Sequence, residues 1–291
     1  MGIERLDEAD APCCGGEQGG GTDGDQAEAL ETRDRATYHA EYRAAVDAEY
    51  GATPDSWDAA VLELRSVWEA HEARWPYRKD TESPHRPDTL DLEASAEVDR
   101  GCDRIREVGE NVITPAMRAI EAEDPDRHLV GLEHHLKGED RIKEKVADAV
   151  RYKGRTPEEA LATIKDAIRF TLGYSEERYT SGVREDCERL QNRGFEPFDL
   201  VNSWQAEEYK GINSRWREPE SGVLFEVQFH TRASFEAKQL THAAYERLRT
   251  PATSDSERDE LQEFQRKASA EIPIPPNVTD IEDYSPEKRD G

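Results

Sequence analysis

Two short runs of alternating apolar and polar residues constrain the fold of this chain most strongly. In the second run Phe225, Val227 and Phe229 alternate with polar residues, and the first run, residues 212–217, has the same pattern. Alternation with a period of two is typical of β-strands that have one apolar and one polar face. The intervening residues 218–222 include a proline and a glycine, which predicts a hairpin turn. The polar faces gather a carboxylate, an amide, an imidazole and guanidinium groups, which indicates a role beyond building a core.

Composition argues against several classes of partner. The chain of 291 residues has a formal net charge of −26, and 36% of its residues are charged. An acidic surface of this kind argues against broad nucleic-acid binding and against anionic membranes. No apolar run approaches the length of a membrane span, and the N-terminal residues contain no apolar signal-peptide core. The four cysteines form neither a CxxC pair nor a zinc-binding spacing, which predicts a protein of the reducing cytoplasm.

The predicted domain organisation has four parts. Residues 1–25 are rich in glycine and acidic residues and are expected to be disordered. Residues 26–125 have helical periodicity and form a helical extension, interrupted by a proline-containing loop over 75–91. Residues 126–250 contain the informative motifs, and residues 251–291 contain a helix and a proline-rich tail.

Local signals in and beyond the third part predict alternating helices and strands. Thr156, Pro157 and Glu159 have the pattern of a capped helix start. Besides the two hairpin strands, the predicted strands are residues 167–172 and 195–201, and the predicted helices are residues 160–165, 175–193, 234–249 and 256–270.

A run of basic residues precedes these elements. Lys137, Arg141 and Lys145 are spaced four apart, so on a helix they would share one face and could bind a polyphosphate. Acidic residues are interspersed among them, and composition alone favours a solvated face of alternating charge. The adjacent His134 and His135 are, taken by themselves, more often surface residues than ligands.

Taken in order, these motifs resemble the synthetase domain of RelA/SpoT-like enzymes, the GTP pyrophosphokinases that make the alarmone (p)ppGpp. The matching segments are residues 135–145 for RxKxxxSIxxK, Asp166 to Arg169 for a metal-binding Asp and its Arg, residues 209–213 for GYxSxH, residues 226–231 for EVQIRT, and His242 for a helical His. The resemblance covers somewhat under half of the chain, and its specificity comes from the order of five motifs rather than from any one of them.

The resemblance implies an α+β, nucleotidyltransferase-like fold: a mixed β-sheet of about five strands flanked by helices, with a helical N-terminal extension. It implies a Mg²⁺-dependent enzyme of the stringent response that transfers pyrophosphate from ATP to the 3′-hydroxyl of a guanine nucleotide. Asp166 and Glu226 would hold the metal and, with Arg169, form the catalytic group. The residues that would bind the two nucleotides are His135, Lys137, Arg141, Lys143, Lys145, Tyr209, Lys210, Asn213, Gln228, His230 and His242.

Departures from the family pattern leave the acceptor open. His135 stands where the family has Arg, Arg141 where it has Ser, Asn213 where it has His, and His230 where it has Arg. A neutral His230 would hold an anion less firmly than Arg does. This predicts weaker choice between guanine and adenine acceptors, and activity that rises as the pH falls through the titration range of His230. The alternatives are a toxin-like relative that modifies adenine nucleotides or the 3′ end of tRNA, a nucleotide-binding regulator without turnover, and an interaction protein.

Overall fold

The computed structural model of the chain describes residues 55–75, 90–132, 135–250 and 253–285. All of these residues belong to one unit, Glu49–Gly291. The predicted disordered tail, residues 1–25, lies outside the described residues, as do His134 and most of the loop predicted over 75–91.

A five-stranded mixed β-sheet forms the centre of the fold. Its strands are β1 (His128–Leu129), β2 (Arg169–Tyr174), β3 (Glu196–Asn202), β4 (Ile212–Arg217) and β5 (Leu224–Thr231). They are arranged in the order β1-β2-β5-β4-β3, in which β2 and β5 are parallel and the other neighbours are antiparallel. The sheet and its helices confirm the predicted α+β class. The sequence did not predict β1, because two residues are too few to show a periodic pattern.

Helices precede, separate and follow these strands. They are α1 (Asp55–Arg74), α2 (Leu92–Val108), α3 (Thr114–Glu121), α4 (Glu139–Lys153), α5 (Pro157–Ala162), α6 (Glu176–Asn192), α7 (Arg232–Leu248) and α8 (Asp255–Ala270). A π-helical turn, Gly109–Ile113, joins α2 to α3. The helices predicted over 175–193, 234–249 and 256–270 are confirmed as α6, α7 and α8. Within the described part of the chain, no helix is long and apolar enough to cross a membrane.

Local sequence signals set several of the helix boundaries. The hydroxyl of Thr156 accepts a hydrogen bond from the Glu159 N–H while the Glu159 side chain accepts one from the Thr156 N–H, which confirms the predicted capping box of α5. The hydroxyl of Ser175 accepts a hydrogen bond from the Arg178 N–H at the start of α6. After α6, Gly194 has a φ of +88°, a left-handed conformation that glycine adopts without strain.

The apolar face of the sheet carries the main core. Phe170, Leu172, Phe225, Val227 and Phe229 are all buried there. The side chains that α3 and α6 add to the same core are Met117, Ile120, Tyr179, Val183 and Leu190. Burial of each large apolar side chain stabilises the fold by about 1.5–3 kcal/mol, so this face fixes the sheet against its helices. Helix α3, which precedes the predicted domain boundary at residue 125, therefore shares a core with the sheet.

A buried ion pair adjoins this core through Tyr174. Arg127 donates from Nε to Asp186 Oδ2 at 2.7 Å and from Nη1 to the Ile120 carbonyl at 2.5 Å. Asp186, on α6, also accepts a hydrogen bond from the Tyr174 hydroxyl of β2. Both charged side chains are completely enclosed, so each depends on the other to offset the loss of water.

The segment after α8 covers one edge of the sheet. Leu200 on the edge strand β3 exchanges two backbone hydrogen bonds with Tyr284, at 2.8 and 2.9 Å. The Asn202 side chain donates to the carbonyls of Val278 and Ile281 at 2.8 and 2.9 Å. The backbone groups at this end of β3 are therefore paired within the chain.

Replacing Arg127 with Met is expected to destabilise the protein by roughly 3–5 kcal/mol, because Asp186 is left buried without its main partner. Chemical denaturation followed by tryptophan fluorescence measures the change. Arg118→Met is the matched control on the exposed surface of α3, and its effect should stay below about 0.5 kcal/mol. Equal stability of the two variants would contradict the role given to the ion pair.

Candidate active site

The strand register places a row of alternating charge across the polar face of the sheet. Arg169 on β2 lies opposite Glu226 on β5. Arg215 on β4 lies opposite Glu226 on its other side and opposite Asp199 on β3. Arg169 Nε is 2.5 Å from Glu226 Oε2, and Arg215 Nη1 is 2.9 Å from Asp199 Oδ2. Each carboxylate of the row therefore has a guanidinium as its hydrogen-bond donor.

Asp166, just before β2, receives hydrogen bonds from three cations. Lys137 Nζ donates to it at 2.7 Å, and Lys145 Nζ donates to its two oxygens at 2.7 and 3.0 Å. Arg169 Nη2 donates at 3.1 Å and so links Asp166 to Glu226. Burial raises the pKa of Asp166, but the hydrogen bonds from the two lysines outweigh burial and bring the pKa to about 2. Two carboxylates and three basic side chains thus form one connected network.

The prediction that Lys137, Arg141 and Lys145 share one helical face is wrong. Helix α4 begins only after Lys137, which lies in an extended segment beside β2 and donates its backbone N–H to the Ala167 carbonyl at 2.8 Å. Gly138 separates this segment from the helix. Lys137 and Lys145 nevertheless meet, because the extended segment and the helix both run past the start of β2.

Two other predicted cations point away from this network. Arg141 is exposed on α4 and pairs with Glu144 at 3.1 Å. Lys143 pairs with Asp99 on α2 at 2.6 Å and with Glu139 at 2.7 Å. The structure therefore brings together Lys137 and Lys145 but not the two cations between them in sequence.

A second group of predicted residues surrounds Tyr209. The Tyr209 hydroxyl is 3.0 Å from Asn213 Oδ1 and 3.1 Å from His230 Nε2. His230 Nδ1 is 2.9 Å from Ser234 Oγ at the start of α7. Gly211 permits this approach, since a Cβ there would stand 2.8 Å from His230 Cε1 and 3.0 Å from the Tyr209 hydroxyl. The ring of Tyr209 is thus held by its hydroxyl in one orientation.

His230 does not supply the pH response that the sequence predicts. Burial, with the positive charge of Lys238 nearby, lowers the pKa of His230 well below its ordinary value. Helix α7 covers the imidazole, and the Phe235 ring lies 6.0 Å from it. Burial therefore favours the neutral ring, which removes the physical basis for the predicted rise in activity through its protonation. The alternation of β5 placed His230 on a polar face but could not reveal that a helix covers that face.

The remaining predicted residues have other surroundings. His135 packs against Phe170 with ring centroids 5.4 Å apart, and its Nδ1 is 2.5 Å from a backbone carbonyl oxygen. Lys210 donates to two carbonyl oxygens of the loop before β4, at 3.0 and 2.6 Å. His242 is exposed on α7, one turn beyond Lys238. The contacts of His135 and Lys210 hold backbone segments that border the site.

Lys238 and Arg215 also belong to this face, although the sequence did not identify them as site residues. Lys238 Nζ donates to Gln228 Oε1 at 2.6 Å, on the sheet row next to that of Glu226. Burial and the charge of Arg169 lower the pKa of Lys238 to about 8. The sequence contained one indication of this position. Lys238 follows Phe235 by three residues, a spacing that puts both side chains on the same side of a helix. The alternation of residues 212–217 predicted that Arg215 lies on the polar face of its strand. Only the strand register shows that it lies opposite Glu226.

The carboxylates of the network offer part of a metal-binding set. The described ranges contain no group of three or more His, Cys, Asp or Glu side chains placed to hold a metal ion. Mg²⁺ is usually held by one or two carboxylates together with waters and substrate phosphates. Asp166 and Glu226, joined through Arg169, provide two such carboxylates. These residues therefore fit a magnesium ion that a phosphorylated substrate helps to bind.

Comparison with known proteins gives similarity in structure alone. No family model and no curated protein sequence matches the chain. A small alarmone synthetase 1 from Bacillus subtilis, bound to its product pppGpp, is similar at 18% identity and a TM-score of 0.43, over 60% of this chain and 92% of that one. A GTP pyrophosphokinase family protein from Streptococcus pneumoniae is similar at 19% identity and a TM-score of 0.43, over 62% and 90%. At these values the likeness does not decide the activity, which has to be inferred from the side chains at the sheet.

Replacing His230 with Gln is expected to remove a pH-dependent loss of stability. His230 is neutral in the folded protein but ionises in the unfolded chain, so wild-type stability falls as the pH drops below about 6.5. The slope for one such group is at most about 1.4 kcal/mol per pH unit. Denaturant unfolding of both proteins at pH 7 and pH 5 measures the difference between them. A difference that is the same at both pH values would show that His230 is not held neutral.

Proposed function

We propose that the chain is a nucleotide pyrophosphokinase that transfers pyrophosphate from ATP to the 3′-hydroxyl of a guanine nucleotide with Mg²⁺ and releases AMP. The observation that carries this proposal is the convergence of Lys137, Lys145 and Arg169 on the carboxylates Asp166 and Glu226. Cations and carboxylates in direct contact suit a metal-bound polyphosphate, because the substrate carries negative charge and the metal positive charge. A cytoplasmic location, where both nucleotides are available, belongs to the same proposal.

Charge neutralisation is the main demand of this reaction. Several negative charges meet as the pyrophosphoryl group passes between two nucleotides, so catalysis depends on positioning and on electrostatic stabilisation. Lys137, Lys145 and Arg169 would bind the phosphates of ATP. Asp166 and Glu226 would hold Mg²⁺, which would neutralise charge on the phosphate oxygens. Glu226, between two arginines of the charged row, would also accept the proton of the 3′-hydroxyl.

The residues around Tyr209 would form the acceptor site. An aromatic ring stacks on a nucleotide base at roughly 1–3 kcal/mol per base. Because Asn213 and His230 fix the Tyr209 hydroxyl, the ring is oriented before the base arrives, which lowers the entropic cost of binding. His230 contributes alignment rather than charge, since its pKa is lowered by burial.

Incubation of the protein with labelled ATP, Mg²⁺ and a panel of GDP, GTP, ADP and deacylated tRNA tests the proposal. Chromatographic separation of the products should show AMP together with a 3′-pyrophosphorylated guanine nucleotide. Transfer of pyrophosphate to ADP or to tRNA, and not to a guanine nucleotide, would identify that molecule as the acceptor. Nucleotide binding without release of AMP would indicate a regulator instead of an enzyme.

Asp166→Asn and Glu226→Gln are each expected to reduce turnover by at least about 100-fold, because each removes a charge that would hold the metal. The initial rate of AMP formation under saturating Mg²⁺ measures the loss. Glu196→Gln, which changes an exposed carboxylate on the edge strand, is the matched control and should keep the wild-type rate. Wild-type activity in either site variant would exclude the assigned metal ligands.

Lys145→Ala is expected to weaken binding of a non-hydrolysable ATP analogue by about tenfold, because one ammonium of the phosphate site is lost. Arg141→Ala, on the same helix but directed away from Asp166, should bind the analogue as the wild type does. Isothermal titration calorimetry measures both affinities. If the two variants weaken binding equally, the converging lysines do not define the phosphate site.

A further inference from the structure

Lys238 differs from the other cations at the polar face of the sheet in its partner. Lys137 and Lys145 both contact the carboxylate of Asp166. Lys238 Nζ instead donates to the neutral amide oxygen of Gln228 at 2.6 Å and lies 5.4 Å from the centroid of the Phe235 ring. No carboxylate of the described ranges lies within ion-pair distance of it. Lys238 is therefore a half-buried positive charge with no ion-pair contact among the described residues, and the more distant Glu226 favours its charged form only in part.

Lys238 contacts β5 between the network around Asp166 and Glu226 and the group around Tyr209. Glu226, Gln228 and His230 occupy successive positions on the same face of β5, and Lys238 contacts the middle one. On one side, the charges of Arg169 and Glu226 act on Lys238. On the other side, the charge of Lys238 acts on His230 beside Tyr209. A ligand that extends along this face from the Tyr209 group toward Glu226 would run past Gln228, the residue that Lys238 contacts.

An ammonium in this position is costly to keep without an anion. Removal from water disfavours the charged form of a lysine, and a positive neighbour disfavours it further. Both act here, since burial and Arg169 outweigh the opposing charge of Glu226 and bring the pKa of Lys238 to about 8. A bound anion would offset this cost. The ammonium has three donors, of which the Gln228 contact uses one.

We propose that Lys238 binds a phosphate group of the acceptor nucleotide. This inference rests on the proposed function, because it requires an acceptor nucleotide that lies between Tyr209 and Glu226. Lys137 and Lys145, which would bind the phosphates of ATP, lie at Asp166, whereas Lys238 acts on His230 beside Tyr209. Lys238 thus provides the positive charge that neutral His230 lacks.

Three variants test this role by calorimetric titration with GDP and with a non-hydrolysable ATP analogue. Lys238→Met keeps an apolar side chain against Phe235 but removes the charge. It should weaken GDP binding by about tenfold or more and leave binding of the ATP analogue unchanged. Lys238→Arg retains the charge and should bind GDP far more tightly than Lys238→Met does. Lys267→Met, at an exposed lysine of α8, is the matched control and should behave as the wild type.

Unchanged GDP affinity in Lys238→Met, equal loss for both ligands, or no GDP binding by the wild-type protein would each overturn the proposal. The proposed function has a separate readout, the formation of AMP by the wild-type protein. If Lys238→Met weakens GDP binding while the wild type releases no AMP, the role of Lys238 stands and the pyrophosphokinase activity fails. If AMP is formed and GDP affinity does not depend on Lys238, the pyrophosphokinase activity stands and the role of Lys238 fails.

Discussion

The parallel pairing of β2 with β5 is the interaction on which the site depends. It brings Arg169 beside Glu226, although 57 residues separate them in the chain. The same register pairs Phe170 with Val227 on the opposite, buried face. A slip of one residue would turn Glu226 into the core, so the register that buries the apolar side chains also aligns the charged row. Apolar burial, more than the attraction between charges, thus holds the site in place.

The cations at this sheet are held in place before any ligand binds. Lys137 and Lys145 share the carboxylate of Asp166, and Arg169 is shared between Asp166 and Glu226. A free anion would have to compete with Asp166 for these donors, so little net attraction would be gained. A polyphosphate that arrives with Mg²⁺ would bring a cation for the carboxylates and oxygens for the lysines. The network therefore favours the metal complex of a nucleotide over the bare anion, in a chain whose net charge of −26 already repels anions.

Features encoded by neighbouring residues could be predicted from the sequence, and features that depend on distant packing could not. The hairpin, the capping box at Thr156 and the helix end at Gly194 follow from local periodicity and turn chemistry. Spacing placed Lys137 on a helix because sequence distance does not show where an extended segment gives way to a helical one.

The same limit applies to the electrostatics of the site. The lowered pKa of His230 depends on α7 covering β5. The contact of Lys238 with Gln228 depends on which face of α7 meets the sheet. Strand alternation identified the polar face and the residues on it. Their charge states and pairings emerged only when the helix and the strand order were known.

The backbone pairing of Leu200 with Tyr284 has a consequence for the behaviour of the protein in concentrated solution. An uncovered edge strand offers unpaired N–H and C=O groups to the sheet of another molecule, which is a common route to aggregation. Here the segment after α8 occupies that position on β3. The chain therefore blocks the addition of a strand from another molecule at this part of β3.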